Sequence, residues 1–224
     1  VVSEHNDNDE VRVVVVRGEG GKSFVAGQDI SEFKELRSTS EGIERYERIT
    51  NGMYDGIRDC PKPVVAMIEG YCMGGGMAVA CACDIRVCSD NSIFSIPAGR
   101  LGLGYRPRFT RWVVETVGGP TAKEILFSAR RYDAAEALKI GLVNRVTSVG
   151  KLKGYVEEYA NSIAENAPLS VRASKRIVNE VGAGPGEWNM KEMQALIDAC
   201  SNSDDYVEGR QAFMEKRTPK FNGK

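Results

Sequence analysis

The stretch from Pro63 to Asp84, PVVAMIEGYCMGGGMAVACACD, leaves a chain few ways to fold. Val64, Val65 and Ile68 have the β-branched composition of a buried strand. Glycine then takes over at Gly70 and at Gly74, Gly75 and Gly76, and Met77 to Cys83 follows without a polar side chain. A helix that is apolar all round has to lie inside the molecule. A strand turning through glycines into such a helix leaves backbone N–H groups free at the helix start. Together with the helix dipole they form a site for an anion or a developing oxyanion.

The rest of the chain alternates in the same way up to about residue 120. Val11 to Arg17 is a valine-rich strand whose unbroken apolar run predicts burial on both faces. Glycines at Gly18 to Gly21 break it, and Phe24 to Asp29 leads into a short helical spacing at Ile30, Phe33 and Leu36. Ile43, Tyr46, Thr50, Met53, Tyr54 and Ile57 step by three or four, an amphipathic helix that ends before Pro61 and Pro63. Ile85 to Cys88 and Ile93 to Ile96 are short strands, and Ala98 to Arg111 is a Gly- and Arg-rich loop or helix start.

Beyond residue 120 helical spacing dominates. Helices are expected around Ala122–Ala129, Val156–Ile163, Leu169–Val181, Met193–Cys200 and Val207–Met214, with a linker-like break at Gly182 to Gly186. Asp133 is placed to cap a helix over Ala134 to Ile140 that Gly141 stops, and Leu142 to Thr147 reads as one more strand. The reading is an α/β core over residues 1–120 followed by a mainly helical region over 121–224.

Composition removes several functions. With 30 basic and 31 acidic side chains the net charge is −1, so no basic field argues for nucleic acid or a membrane surface. Neither GxGxxG after a strand nor GxxxxGK[ST] occurs. The cysteines, Cys60, Cys72, Cys81, Cys83, Cys88 and Cys200, form no CxxC pair, and His5 is the one histidine. That pattern excludes a zinc site and a histidine-based nucleophilic triad, and reads as reduced core thiols.

Two glycine turns remain, Ala26-Gly27-Gln28-Asp29 and Gly74-Gly75-Gly76. Facing each other, they would aim two N–H groups at one point, the geometry that polarises a carbonyl and holds the enolate formed from it. Either turn alone is equally plain backbone accommodation. Here the residues resemble a known family. FVAGQDISEF and PKPVVAMIEGYCMGGGMAVACACDIR are similar to the two signatures of the crotonase (enoyl-CoA hydratase/isomerase) superfamily. FSARRYDAAEALKIGLVNRV and AFMEKRTPKF resemble its later segments, so the likeness runs over nearly the whole chain.

The resemblance implies an α/β fold, a spiral of β-β-α units followed by a helical C-terminal region that makes trimers, often paired into hexamers. It implies an acyl-CoA or enoyl-CoA substrate, coenzyme A arriving as part of the thioester, and no tightly bound cofactor or metal. By position, Gln28 and Gly75 would supply the N–H donors, Asp29 and Ile30 would flank the thiol end of the pantetheine, and Ala26 and Gly74 would line the same turns. Lys216 and Phe213 fall in a segment that reaches CoA in relatives. A cytoplasmic location is expected, or the mitochondrial matrix in a eukaryote. The family's first hairpin and early CoA-contacting loop have no counterpart before Val1.

Where hydratases of the family carry two glutamates, this chain has Ala78 and Ala98. Alanine moves no proton, so decarboxylation, thioester hydrolysis, another enolate-type reaction or CoA-thioester binding with little catalysis all compete with hydration. Tyr105 is either a packed loop aromatic or a replacement proton donor or acceptor. Glu69 and Asp84 flank the central unit as capping or catalytic carboxylates. Arg100, Arg106, Arg108 and Arg111 are either a solvated face pairing with Glu115 or, through Arg106 or Arg108, a fork for a carboxylate on the acyl chain.

Overall fold

The computed structural model describes residues 3–27, 39–182 and 188–224. Contacts group these residues into two compact units, Val15–Cys60 with Val64–Val156, and Val1–Val14 with Pro61–Pro63 and Glu157–Lys224.

In the first unit the β-branched segments extend in pairs. Strand β1 (Val14–Arg17) is followed by β2 (Ser23–Val25), β3 (Val64–Ile68) by β4 (Tyr71–Met73), and β5 (Ile85–Ser89) by β6 (Ile93–Ser95). The first member of each pair joins one sheet, in the order β1-β3-β5-β8, with β8 at Arg145–Thr147. The second member joins another, β2-β4-β6-β7, with β7 at Tyr132–Asp133. Each pair therefore advances both sheets by one strand, which is the expected spiral. The registers Val65↔Ile85 and Tyr71↔Ile93 are parallel, whereas β6 and β7 run antiparallel.

Helix α1 (Ser40–Arg58) starts where the Thr39 side chain accepts from the Gly42 N–H, as N-cap threonines do. It turns Tyr54 and Ile57 inward, while Met53, assigned to its apolar face by spacing, is 48% exposed. Helix α2 (Gly75–Ala82) is buried from Gly76 to Ala82, and it packs against α1 and against α3 (Pro107–Ser128). Burying each of its larger side chains, Met77 and Val79, is worth about 1.5–3 kcal/mol. Between β6 and α3 the chain makes a 3-10 turn at Pro97–Leu101. The loop or helix start expected at Ala98 to Arg111 resolves into that turn and a helix beginning at Pro107, bent where Gly118 leaves helical geometry (φ 76°, ψ 162°). Helix α4 (Ala134–Lys139) carries the expected cap, with Asp133 and Glu136 bonded reciprocally.

Two expectations need correction. The valines of β1 are not buried on both faces: the strand begins at Val14, alternates half-buried with exposed, and leaves Val15 40% exposed. Among the described residues β1 is the terminal strand in its sheet's order, with a strand neighbour on one side. The strand expected from Leu142 starts only at Arg145. Leu142 and Val143 are buried, but both N–H groups turn back to the Ala137 carbonyl and close α4.

Helix α5 (Val149–Ala164) passes from the first unit into the second at Glu157. There α6 (Pro168–Gly182), α7 (Met190–Ser201) and α8 (Asp204–Glu215) follow, matching the helical spacing. Arg176 forks onto Glu192 to tie α6 to α7 (2.8 and 3.0 Å). The buried Asp205 carboxylate accepts from the N–H groups of Asn222 (2.7 Å) and Gly223 (2.9 Å), strapping the C-terminal segment along α8.

Candidate functional site

The glycine run divides its labour. Gly74 ends β4 at φ 52° and ψ −105°, a conformation closed to side-chain-bearing residues. Its own N–H is spent on the Ser95 carbonyl (2.8 Å). A β-carbon at Gly76 would collide with the Val25 carbonyl, so glycine lets α2 press directly on β2. Gly75 opens the helix. The N–H groups of Gly75 and Gly76 have no carbonyl one turn back within α2, and they stand at its positive end.

Gly75 faces a cleft of about 250 Å³. Ala26 and Gly27 reach it just after β2, Tyr54 from α1, Ala98 from the 3-10 turn, and Tyr105 and Arg106 from the segment before α3. Six residues singled out from the sequence, Ala26, Gly74, Gly75, Ala98, Tyr105 and Arg106, therefore share one cavity. Gln28, Asp29 and Ile30 lie outside the described residues. The walls are otherwise apolar, with Ile96, Leu101, Leu103 and Phe109 among them.

Two phenols act on the glycine turn. The half-buried Tyr105 donates its hydroxyl to the Gly74 carbonyl (3.2 Å), and Tyr54, 2% exposed, donates to the Gly75 carbonyl (3.3 Å). Burial, reinforced by Cys81, Tyr54 and Cys72 nearby, pushes the Tyr105 hydroxyl well above its ordinary pKa, so it is a neutral donor at physiological pH. Tyr54 entered the sequence reading only as one position on an amphipathic helix; periodicity carries no signal for where its hydroxyl ends.

Among the described residues lining the cleft none is a carboxylate or an imidazole. The two alanines singled out from the sequence differ: Ala98 forms part of the cleft wall, whereas Ala78 is wholly buried within α2. Asp84 accepts from the Val64 N–H (2.7 Å) and Glu69 lies against Gly21, so neither carboxylate joins this cavity. Arg108 pairs with Asp55 and stacks over Trp112, and Arg111 pairs with Glu115 (2.6 Å), which also accepts from Arg58. Arg100 is exposed on the 3-10 turn. Of the four arginines, Arg106 alone is a wall of the cleft.

Arg86 is a residue the sequence reading passed over. Its buried guanidinium donates to the carbonyls of Cys83 (2.8 Å), Ala80 (3.4 Å) and Leu142 (2.8 Å). It thereby satisfies carbonyls at the negative end of α2 and anchors the helix whose other end faces the cleft. Cys72, Cys81 and Cys88 are free thiols whose pKa burial raises, that of Cys72 well above the usual value and that of Cys88 to about 12, so they have little nucleophilic character. The described residues contain no cluster able to hold a metal ion and no helix long and apolar enough to cross a membrane.

A family model described as enoyl-CoA hydratase/isomerase matches residues 1–224. The chain is 37% identical over 219 residues to a short-chain-enoyl-CoA hydratase of Clostridium acetobutylicum, covering 97% of this chain and 82% of that protein. It is 35% identical to a crotonyl-CoA hydratase of Syntrophomonas wolfei, covering 98% and 84%. The crystal structure of an enoyl-CoA hydratase/carnithine racemase from Magnetospirillum magneticum superposes with a TM-score of 0.90 at 33% identity, over 100% of this chain and 83% of that one.

Proposed function

This chain belongs to the enoyl-CoA hydratase/isomerase family, and we propose that its cleft takes the carbonyl of an acyl- or enoyl-CoA thioester and stabilises the enolate made from it. The observation that carries the reading is the start of α2 on the cleft, with the Gly75 N–H unspent by the helix. Gln28 is proposed as the second donor, on the strength of the first glycine turn. Each donor aimed at the developing oxyanion contributes about 3 kcal/mol. Asp29 and Ile30 would flank the thioester sulfur, and Ala26 and Gly74 would shape the two turns. Coenzyme A arrives with the substrate, and the reaction needs no tightly bound group.

The hydratase/isomerase type is the first reading of the chemistry. A second, an enolate reaction such as decarboxylation or thioester hydrolysis, is favoured by Ala78 and Ala98 and by a cleft whose described walls hold no carboxylate. A panel of enoyl-, 3-hydroxyacyl- and dicarboxylyl-CoA thioesters tests both. Hydration of crotonyl-CoA supports the first. Turnover of another thioester with crotonyl-CoA untouched supports the second. Silence over the panel together with micromolar CoA binding would leave a thioester binder.

Arg106 supports a narrower substrate class, because it is the one cationic side chain among the cleft's described walls. It would hold a carboxylate at the far end of the acyl chain. Expected is a preference of about tenfold for a dicarboxylyl-CoA over the matching plain acyl-CoA, about 1.4 kcal/mol. Equal turnover of the two, unchanged in Arg106→Ala, would defeat the idea.

Assembly as a homotrimer, or a hexamer of paired trimers, is proposed through the C-terminal helices. Support comes from their exposed apolar side chains, Val178, Ile197, Val207, Phe213 and Met214. Light scattering on the purified chain tests it, and a monomer at micromolar concentration would rule it out. Lys216, which ends α8 at φ 54°, would meet a CoA phosphate, with Phe213 beside it in the same segment.

A further inference from the structure

The two phenols at the glycine turn have a role that the thioester reading does not by itself assign. A peptide group is planar, so the carbonyl of one residue and the N–H of the next turn as one body. The Gly74 carbonyl and the Gly75 N–H are the two ends of one such plane, and the Gly75 carbonyl and the Gly76 N–H are the ends of the next. Tyr105 donates to the first carbonyl and Tyr54 to the second. We infer that Tyr105 is a positioning residue that fixes the direction, and raises the donor strength, of the Gly75 N–H through the carbonyl end of its peptide plane, and that Tyr54 steadies the plane that follows it. The inference rests on the thioester reading and specifies how its donor is held.

Three observations support it. Neither Gly74 nor Gly75 has a side chain with which to hold its own peptide plane, and Gly74 occupies a backbone conformation reserved to glycine. Beyond the helix's own bonds, restraint comes from residues 21 and 31 positions away. The Gly74 carbonyl also accepts from the N–H groups of Met77 (3.1 Å) and Ala78 (3.4 Å). Several donors on one carbonyl polarise its peptide and strengthen the N–H at the far end.

The phenols are themselves held. The Phe109 ring lies 4.5 Å from that of Tyr54 and 5.9 Å from that of Tyr105, and Trp112 closes on Tyr54 at 5.9 Å. One aromatic cluster shared by α1 and α3 therefore sets both hydroxyls. A Tyr105 that gave up its proton would present an anion to a carbonyl oxygen in apolar surroundings, so its burial favours the donor role over proton transfer.

The test uses Tyr105→Phe and Tyr54→Phe, which keep the rings and remove only the hydroxyls. The probe is butyryl-CoA labelled with ¹³C at the thioester carbonyl, whose stretch is read by difference infrared spectroscopy on the bound complex. The wild type is expected to shift that stretch to lower frequency, Tyr105→Phe to lose a large part of the shift and Tyr54→Phe a smaller part, with thermal midpoints close to wild type. On a panel thioester that turns over, kcat should fall roughly tenfold, less than the loss of a whole oxyanion donor, with KM within twofold and both limbs of the pH–rate profile kept. A full wild-type shift and full kcat in both variants would overturn the inference. So would a pH–rate profile that loses a limb in Tyr105→Phe, which would make Tyr105 the acid or base. A wild type that binds the probe with no shift removes the thioester-carbonyl reading, and the inference falls with it for that separate reason.

Discussion

Ala78 and Ala98, which we propose stand in place of two catalytic carboxylates, have unequal surroundings. Ala98 borders open cleft, so Ala98→Glu should leave the thermal midpoint within a few degrees while adding a carboxylate that titrates in the site. Ala78 is 0% exposed on a helix buried all round. A glutamate there brings overpacking, about 1–3 kcal/mol, and places a charge in an apolar interior. Ala78→Glu should therefore unfold at distinctly lower urea than wild type. Equal midpoints for the two variants would mean that α2 has room the structure does not display. Crotonyl-CoA hydration that appears only when Ala98→Glu is present would identify the missing carboxylate as the reason for its absence.

At the scale of elements, charge ties α8 to the segment after it. The Glu208 carboxylate takes both terminal nitrogens of Arg217 (2.6 and 2.9 Å) and the Lys220 N–H (2.8 Å), which lowers its pKa to about 2. Arg217 also reaches Glu215 (2.6 Å). A carboxylate whose pKa falls on folding stabilises the native state above its unfolded pKa, and that contribution is lost as the pH drops towards the folded value. The strap should thus hold at neutral pH and weaken from about pH 4.5 towards about pH 2. Thermal midpoints measured across that range for wild type and Glu208→Gln should differ at pH 6 and converge near pH 2. A constant gap would show that Glu208 acts through packing alone. Asp205, buried beneath the same segment, is expected to be the costlier loss. Asp205→Ala leaves two N–H groups unpaired, about 1–3 kcal/mol each, and should open residues 217–224 to proteolysis.

Across the whole molecule the cysteines give a readout of native packing. Cys60, Cys72, Cys81, Cys83 and Cys88 are at most 2% exposed, while Cys200 is partly accessible. A thiol reagent at pH 8 should find one fast site, lost in Cys200→Ser, and five that react only as the chain unfolds. A second fast thiol would reveal opening of the α/β core. The buried thiols and the strand–glycine–helix order of Val64 to Ala82 were legible in the residue order. So were the C-terminal helices, because apolar period and backbone permissiveness are local properties. The valines of β1 were misjudged because burial depends on which strand occupies the sheet's edge, and composition does not encode neighbours. The same limit hid Arg86, which holds α2 by carbonyls as far off as Leu142, and Tyr54, whose hydroxyl meets a glycine 21 residues away. By itself the sequence determined that a glycine turn would open a buried helix. Only the tertiary structure decided that two phenols on one aromatic cluster hold that turn, because their hydrogen bonds join chain segments brought together by the folding of the whole spiral.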